Sequence, residues 1–181
     1  MNGRVAILLI GTWLAAASAR AEDVVIDFEQ AEIGKPVPTW SEKGVEFKLA
    51  GPLANTKAAG RVMFFPHIGT GRKGILNAMA TEQAIPLLAT FPDNVSAVTL
   101  VLWGSTGCPA TLEALDKNGQ VIDKASVAAV PGRKSPGEPV PFLELSVKSP
   151  AIAAIRLSGP RDGEFLAADE IRYTRAGVAR K

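Results

Sequence analysis

A chain of 181 residues with 20 basic and 18 acidic side chains has the length of one domain and almost no net charge. The basic residues are scattered, which excludes the electrostatic footprint of a nucleic-acid binder or of an anionic-membrane surface. A single cysteine, Cys108, excludes an internal disulfide, so the fold must rest on its core.

Residues 1–21, MNGRVAILLIGTWLAAASARA, read as a secretory signal peptide. Arg4 supplies the positive n-region, and Val5 to Ala17 form an uncharged apolar run. Ala17-Ser18-Ala19 and Ala19-Arg20-Ala21 both satisfy an A-x-A cleavage rule, with cleavage expected after Ala21 and Ala19 as the alternative. The apolar run of about 13 residues is too short to span ~30 Å of hydrocarbon. The expected product is a neutral chain, secreted or periplasmic, with no membrane span. Export also removes nucleotide-dependent chemistry from consideration. Cys108 is too far from the signal to carry a lipid, and Asn94-Val95-Ser96 accepts a glycan only in an organism that glycosylates.

Beyond the signal, glycine and proline punctuate short alternating apolar runs. Val24, Ile26 and Phe28 share one face of a strand, opposite Val25, Asp27 and Glu29. Val45, Phe47 and Leu49 alternate with Glu46 and Lys48. Ile75 to Ala84 is the one helical candidate, with an irregular loop as the alternative. Val95 to Trp103 is apolar throughout, as in a central strand covered on both faces. Leu112 to Leu115 alternates less cleanly, and Asp116-Lys117-Asn118-Gly119 predicts a hairpin turn, because Asn-Gly readily takes positive φ. Pro131 to Pro141 reads as a loop. Leu143, Leu145 and Val147 alternate with Glu144 and Ser146. Ile152 to Leu157 and Phe165 to Tyr173 complete the set, the latter with Ile171 and Tyr173 opposed to Glu170 and Arg172. The prediction is all-β: a single sandwich of about eight to ten antiparallel strands over residues 22–174, followed by a short basic tail at 175–181.

Gly69-Thr70-Gly71-Arg72-Lys73-Gly74 fits a dinucleotide fingerprint, but that chemistry needs a strand–turn–helix unit that the pattern around it does not supply. It reads as a glycine-rich loop with Arg72 and Lys73 in solvent. Catalysis has little to work with. His67 is the only histidine, Cys108 has no nucleophile elbow around it, and a zinc site cannot be built from one of each. Carboxylate pairs drawn from Asp27, Glu29, Glu164, Asp169 and Glu170 keep a glycosidase-type reading formally open, although charged residues on the solvent face of strands are the usual explanation.

Two segments carry a resemblance. Val25-Ile26-Asp27-Phe28-Glu29 sets an acidic residue beside an aromatic in the first strand. Glu164-Phe165-Leu166-Ala167-Ala168-Asp169-Glu170-Ile171-Arg172-Tyr173 has the closing "apolar-D-[D/E]-apolar-x-aromatic" form of galactose-binding-like jelly rolls. With Ile75-Leu76-Asn77-Ala78, Val95-Ser96-Ala97-Val98-Thr99-Leu100 and Leu115-Asp116-Lys117-Asn118-Gly119, the chain resembles exported β-sandwich proteins of the PEP-CTERM type and carbohydrate-binding modules. The C-terminal sorting signal of PEP-CTERM proteins is missing, so sorting by that route is not expected.

The resemblance implies a structural calcium ion held by Glu29 and Asp169, with Asp27 contributing; ordinary surface carboxylates are the plainer reading. Ca²⁺ needs six to eight oxygens, which carboxylates from the two chain ends and backbone carbonyls could supply. Sugar sites favour exposed aromatic faces with a few polar groups, so the ligand-binding candidates are Trp40, His67, Arg72 and Trp103. Both tryptophans also suit core or rim packing. The expected function is non-catalytic binding of a glycan or cell-envelope component. A structural or protein-interaction domain without a sugar site is the alternative, and a carboxylate-dependent hydrolase the third.

Overall fold

Alternation of apolar and polar side chains becomes ten strands in the computed structural model, which describes residues 22–33, 40–50, 59–64, 73–78, 86–104, 106–132, 141–159 and 166–175. The strands are β1 (Asp23–Ile26), β2 (Trp40–Glu42), β3 (Val45–Leu49), β4 (Ala59–Phe64), β5 (Lys73–Ala78), β6 (Leu87–Gly104), β7 (Ala110–Leu115), β8 (Val121–Val127), β9 (Leu143–Ser158) and β10 (Leu166–Arg175). All pairs are antiparallel, in the order β4-β5-β10-β6-β9-β7-β8, with β1 on β10 and the β2–β3 hairpin on β6. The expected signal peptide, His67, Arg72 and the residues after Arg175 lie outside the described residues.

Two long strands turn this continuous sheet into two layers. The first part of β6, Leu87 to Thr90, pairs with β3 on one side and with Ala154 to Leu157 of β9 on the other. The register then shifts between Thr90 and Val95, where Pro92, Asp93 and Asn94 are exposed. A proline has no N–H for the ladder and suits such an interruption. The second part of β6 pairs with β10 and with the first half of β9. Side chains from both parts meet in one core that includes Phe47, Leu100, Ile155, Ile171 and Tyr173. Phe28 meets Phe47 edge-on at 5.4 Å, and Phe91 tilts against Tyr173 at 4.9 Å. Each such pair is worth ~0.5–1.5 kcal/mol beyond the area it buries.

Local sequence explains the turns. Lys43 and Gly44 both take positive φ, at 50° and 82°, the geometry of a two-residue primed turn between β2 and β3. The Asn118-Gly119 hairpin forms as expected. Gly119 sits at φ 78°, and the Asp116 carboxylate accepts the N–H groups of Asn118 at 2.8 Å and Gln120 at 2.9 Å. Those bonds hold the Asp116 carboxyl below the usual carboxylate range. Cys108 is buried beside Val130, whose N–H donates to its carbonyl at 2.7 Å.

Three expectations are corrected. The helical candidate starting at Ile75 is strand through Ala78, because antiparallel pairing with β4 and β10 overrides a weak local signal. Lys73 opens that strand and is part-buried rather than solvated. Glu170, expected opposite Ile171, is only 5% exposed. It takes φ 46° in a bulge between Asp169 and Arg172, where β10 carries one residue more than β6.

Candidate functional site

The outward face of β1, β10, β6 and the first half of β9 collects polar side chains in rows fixed by register. Val25 lies opposite Arg172, Arg172 opposite Thr99, and Thr99 opposite Ser146. The next row runs Asp23, Thr174, Ala97 and Lys148. Together Asp23, Val25, Ala97, Thr99, Arg172, Tyr173 and Thr174 line a shallow cleft of about 210 Å³.

Hydrogen bonds give this cleft a fixed shape. The Thr174 hydroxyl donates to Asp23 Oδ1 at 2.7 Å, and the Thr99 hydroxyl to Ser146 Oγ at 3.0 Å. The Arg172 guanidinium is paired with Glu170 and lies 3.7 Å from Glu144. With its charge matched, Arg172 offers N–H donors to a neutral polar group, and Asp23 offers an acceptor. Among the described residues Asp23 is the one carboxylate lining the cleft, so the two-carboxylate geometry of glycoside hydrolysis is not found there among them.

Trp103 shares this face, because alternation carries Thr99, Val101 and Trp103 to the same side of β6. Four residues of extended chain place it about 13 Å beyond Thr99. Phe142, 56% exposed, precedes the residue that pairs with Leu102, so the same register carries it level with Trp103. Aromatic surface therefore stands at one end of the face and charged and hydroxyl groups at the other.

Trp40 lies elsewhere. It opens β2 opposite Phe47, which continues through Ala89 and Ile155 as an inward row, and it packs against the core. The structure thus separates the two tryptophans, and of the ligand candidates among the described residues only Trp103 shares the cleft's face, without lining the cleft. Arg172, Asp23, Thr99, Thr174 and Phe142 were not legible as a site. The sequence showed Arg172 facing outward, but not which strands would lie beside it.

The implied metal ligands are also placed. Asp27 Oδ1 accepts the N–H of Glu29 at 3.2 Å, Glu29 Oε1 that of Lys73 at 2.8 Å, and Asp169 Oδ1 that of Glu170 at 2.6 Å. Asp169 is fully buried. Among the described residues no three His, Cys, Asp or Glu side chains converge to hold a metal ion. The carbonyls of Glu29 and Ala31 receive the Lys73 ammonium, at 2.7 and 2.8 Å. Those two carbonyls are thus already engaged by a cation of the chain itself.

A different carboxylate, Glu42, joins Asp27. The Asp27 N–H donates to it, yet its Oε2 is buried without a hydrogen-bond partner. Burial first, and then the nearby Asp27 charge, raise the Glu42 carboxyl above its ordinary value. This pair holds the end of β1 against β2.

The chain matches no protein-family model and no curated protein sequence. Its structure is similar to the K2 cleaved adhesin domain of Lys-gingipain, with TM-score 0.55 and 11% identity over 84% of this chain and 99% of that one. It is also similar to the K1 cleaved adhesin domain of Lys-gingipain from Porphyromonas gingivalis, with TM-score 0.52 and 10% identity over 85% and 98% of the two chains. TmCBM61, solved in complex with β-1,4-galactotriose, gives TM-score 0.49 and 14% identity over 82% and 92%. At these identities the likeness is one of fold, an antiparallel β-sandwich.

Proposed function

We propose that this is an exported, non-catalytic domain that binds a neutral glycan or a glycan-bearing envelope component on the β1–β10–β6–β9 face. The observation that carries the reading is the cleft around Arg172, where paired charges and hydroxyls share a sheet face with Trp103 and the exposed Phe142, about 13 Å further along. Sugars present both apolar C–H faces and hydroxyls, and a site that offers aromatic surface and fixed polar groups together suits them. The cleft's carboxylate, Asp23, and the charge pairing of Arg172 by Glu170 and Glu144 disfavour acidic sugars. Export follows from residues 1–21 and gives a secreted or periplasmic location.

A glycan array followed by calorimetry on the mature chain tests this. Neutral oligosaccharides are expected to bind and uronate-rich ones not. Arg172→Ala and Trp103→Ala should each weaken binding about tenfold or more, ~1.4 kcal/mol; Arg172→Ala is also expected to lower the melting temperature, because it leaves the buried Glu170 carboxylate without its partner. Absence of glycan binding at millimolar concentration would favour a structural or protein-interaction domain. Hydrolysis of a bound oligosaccharide would instead return the enzyme reading.

A further inference from the structure

We infer that the Lys73 ammonium is the resident cation of the Glu29–Ala31 turn, seated on the carbonyls beside Glu29, one of the residues to which the sequence resemblance assigns calcium. The topology creates a gap at this point. β1 and β5 run in the same direction along one edge of β10, with Ile26 opposite Ile171 and Ile75 opposite Ala168. Between those pairs β10 bulges at Asp169 and Glu170, and the chain leaving β1 must turn away before β5 begins. Phe28 at φ 57° starts that turn, and the N–H of Ala31 closes it on the Phe28 carbonyl at 3.0 Å.

The turn points carbonyl oxygens at the start of β5, and Lys73 answers them. Its Nζ donates to Glu29 O at 2.7 Å and to Ala31 O at 2.8 Å, while its own N–H donates to Glu29 Oε1 at 2.8 Å. One residue thus bonds both the carbonyl and the carboxylate of Glu29, across 44 positions of sequence. A calcium ion would sit ~2.3–2.6 Å from such oxygens. An ammionium 2.7–2.8 Å from the same two carbonyls overlaps that position and repels a divalent charge, so the two occupants exclude each other. The side chain is tethered and needs no ion from the medium, so the junction of β1 with β5 closes whatever the calcium supply.

Thermal melting of the mature chain in EDTA and in calcium chloride tests the assignment, together with calorimetric titration of calcium chloride into metal-free protein. The wild type is expected to melt at the same temperature in both solutions and to give no binding heat. Lys73→Met should lower the melting temperature by about 3–8 °C in EDTA, for the loss of a charged donor to two part-buried carbonyls. Lys73→Arg, which keeps a charged donor, should lose less. A wild-type chain that melts earlier in EDTA, or binds calcium, would overturn the inference. So would a Lys73→Met protein as stable as the wild type. Should Lys73→Met fail to fold, the wild-type titration decides by itself.

Discussion

Glu42 shows how one side chain can act against the fold at neutral pH. Its proton is held more tightly in the folded chain than in the unfolded one, because burial and Asp27 both disfavour the anion. A carboxyl raised in this way favours the folded state below its ordinary value of 4.5, and that advantage is lost as pH rises through the folded value. Glu42→Gln keeps the shape and an acceptor for the Asp27 N–H while removing the charge. It is therefore expected to raise the melting temperature near pH 7 and to give no gain near pH 4, measured as paired melts across that range. A gain that did not change with pH would show that charge is not the cause. Glu42 was invisible in the sequence as a special residue, since its partner Asp27 lies just past β1 and only the fold brings them together. Arg172 was half legible. Alternation with Ile171 and Tyr173 set its direction, but Glu144 and Thr99 reach it from β9 and β6.

At the scale of single elements, the two glycine turns offer a controlled comparison. Gly119 and Gly44 have nearly the same φ, 78° and 82°, but different surroundings. A Cβ on Gly119 meets nothing within 4 Å, whereas one on Gly44 lies 3.3 Å from Pro92 Cγ. Gly119→Ala should cost about 1–2 kcal/mol, the backbone penalty alone. Gly44→Ala should cost more, since Pro92 must also shift at the interruption of β6. Urea unfolding of both variants measures the difference, and equal losses would show that Pro92 yields freely. The Asp116–Gly119 hairpin was readable because its chemistry is local: the Asp carboxylate, the Asn-Gly pair and the turn lie within five residues. The Lys43-Gly44 turn was missed because lysine has no special preference for positive φ. The β10 bulge at Glu170 was missed for another reason. Its extra residue is defined only against the partner strand, so a sequence read alone shows unbroken alternation.

For the whole molecule, the two layers are joined by β6 and β9 and closed by aromatic contacts between them. Phe47, 2% exposed, sits at one such contact with Phe28. Phe47→Ala is expected to cost about 3–5 kcal/mol, and Phe47→Leu clearly less, by equilibrium denaturation. A loss below about 1 kcal/mol for the alanine variant would show that the layers do not depend on this seam. The same layering explains why Trp40 and Trp103, equivalent in composition, have different surroundings: Trp40 belongs to an inward row and Trp103 to an outward one.

The sequence by itself determined the all-β class, the number of strands, the Asn118-Gly119 hairpin and much of the core, because period-two alternation and turn chemistry act over a few residues. The tertiary structure decided which strands became neighbours. That placed Arg172 beside Thr99 and Asp23, moved Trp40 to the core, and set Lys73 against the carbonyls of Glu29 and Ala31. Contacts of this kind join residues as far as 153 positions apart, as between Arg175 and Glu22, and no local pattern encodes them. A site made across strands is therefore a property of register and topology, while the strands themselves are a property of the chain.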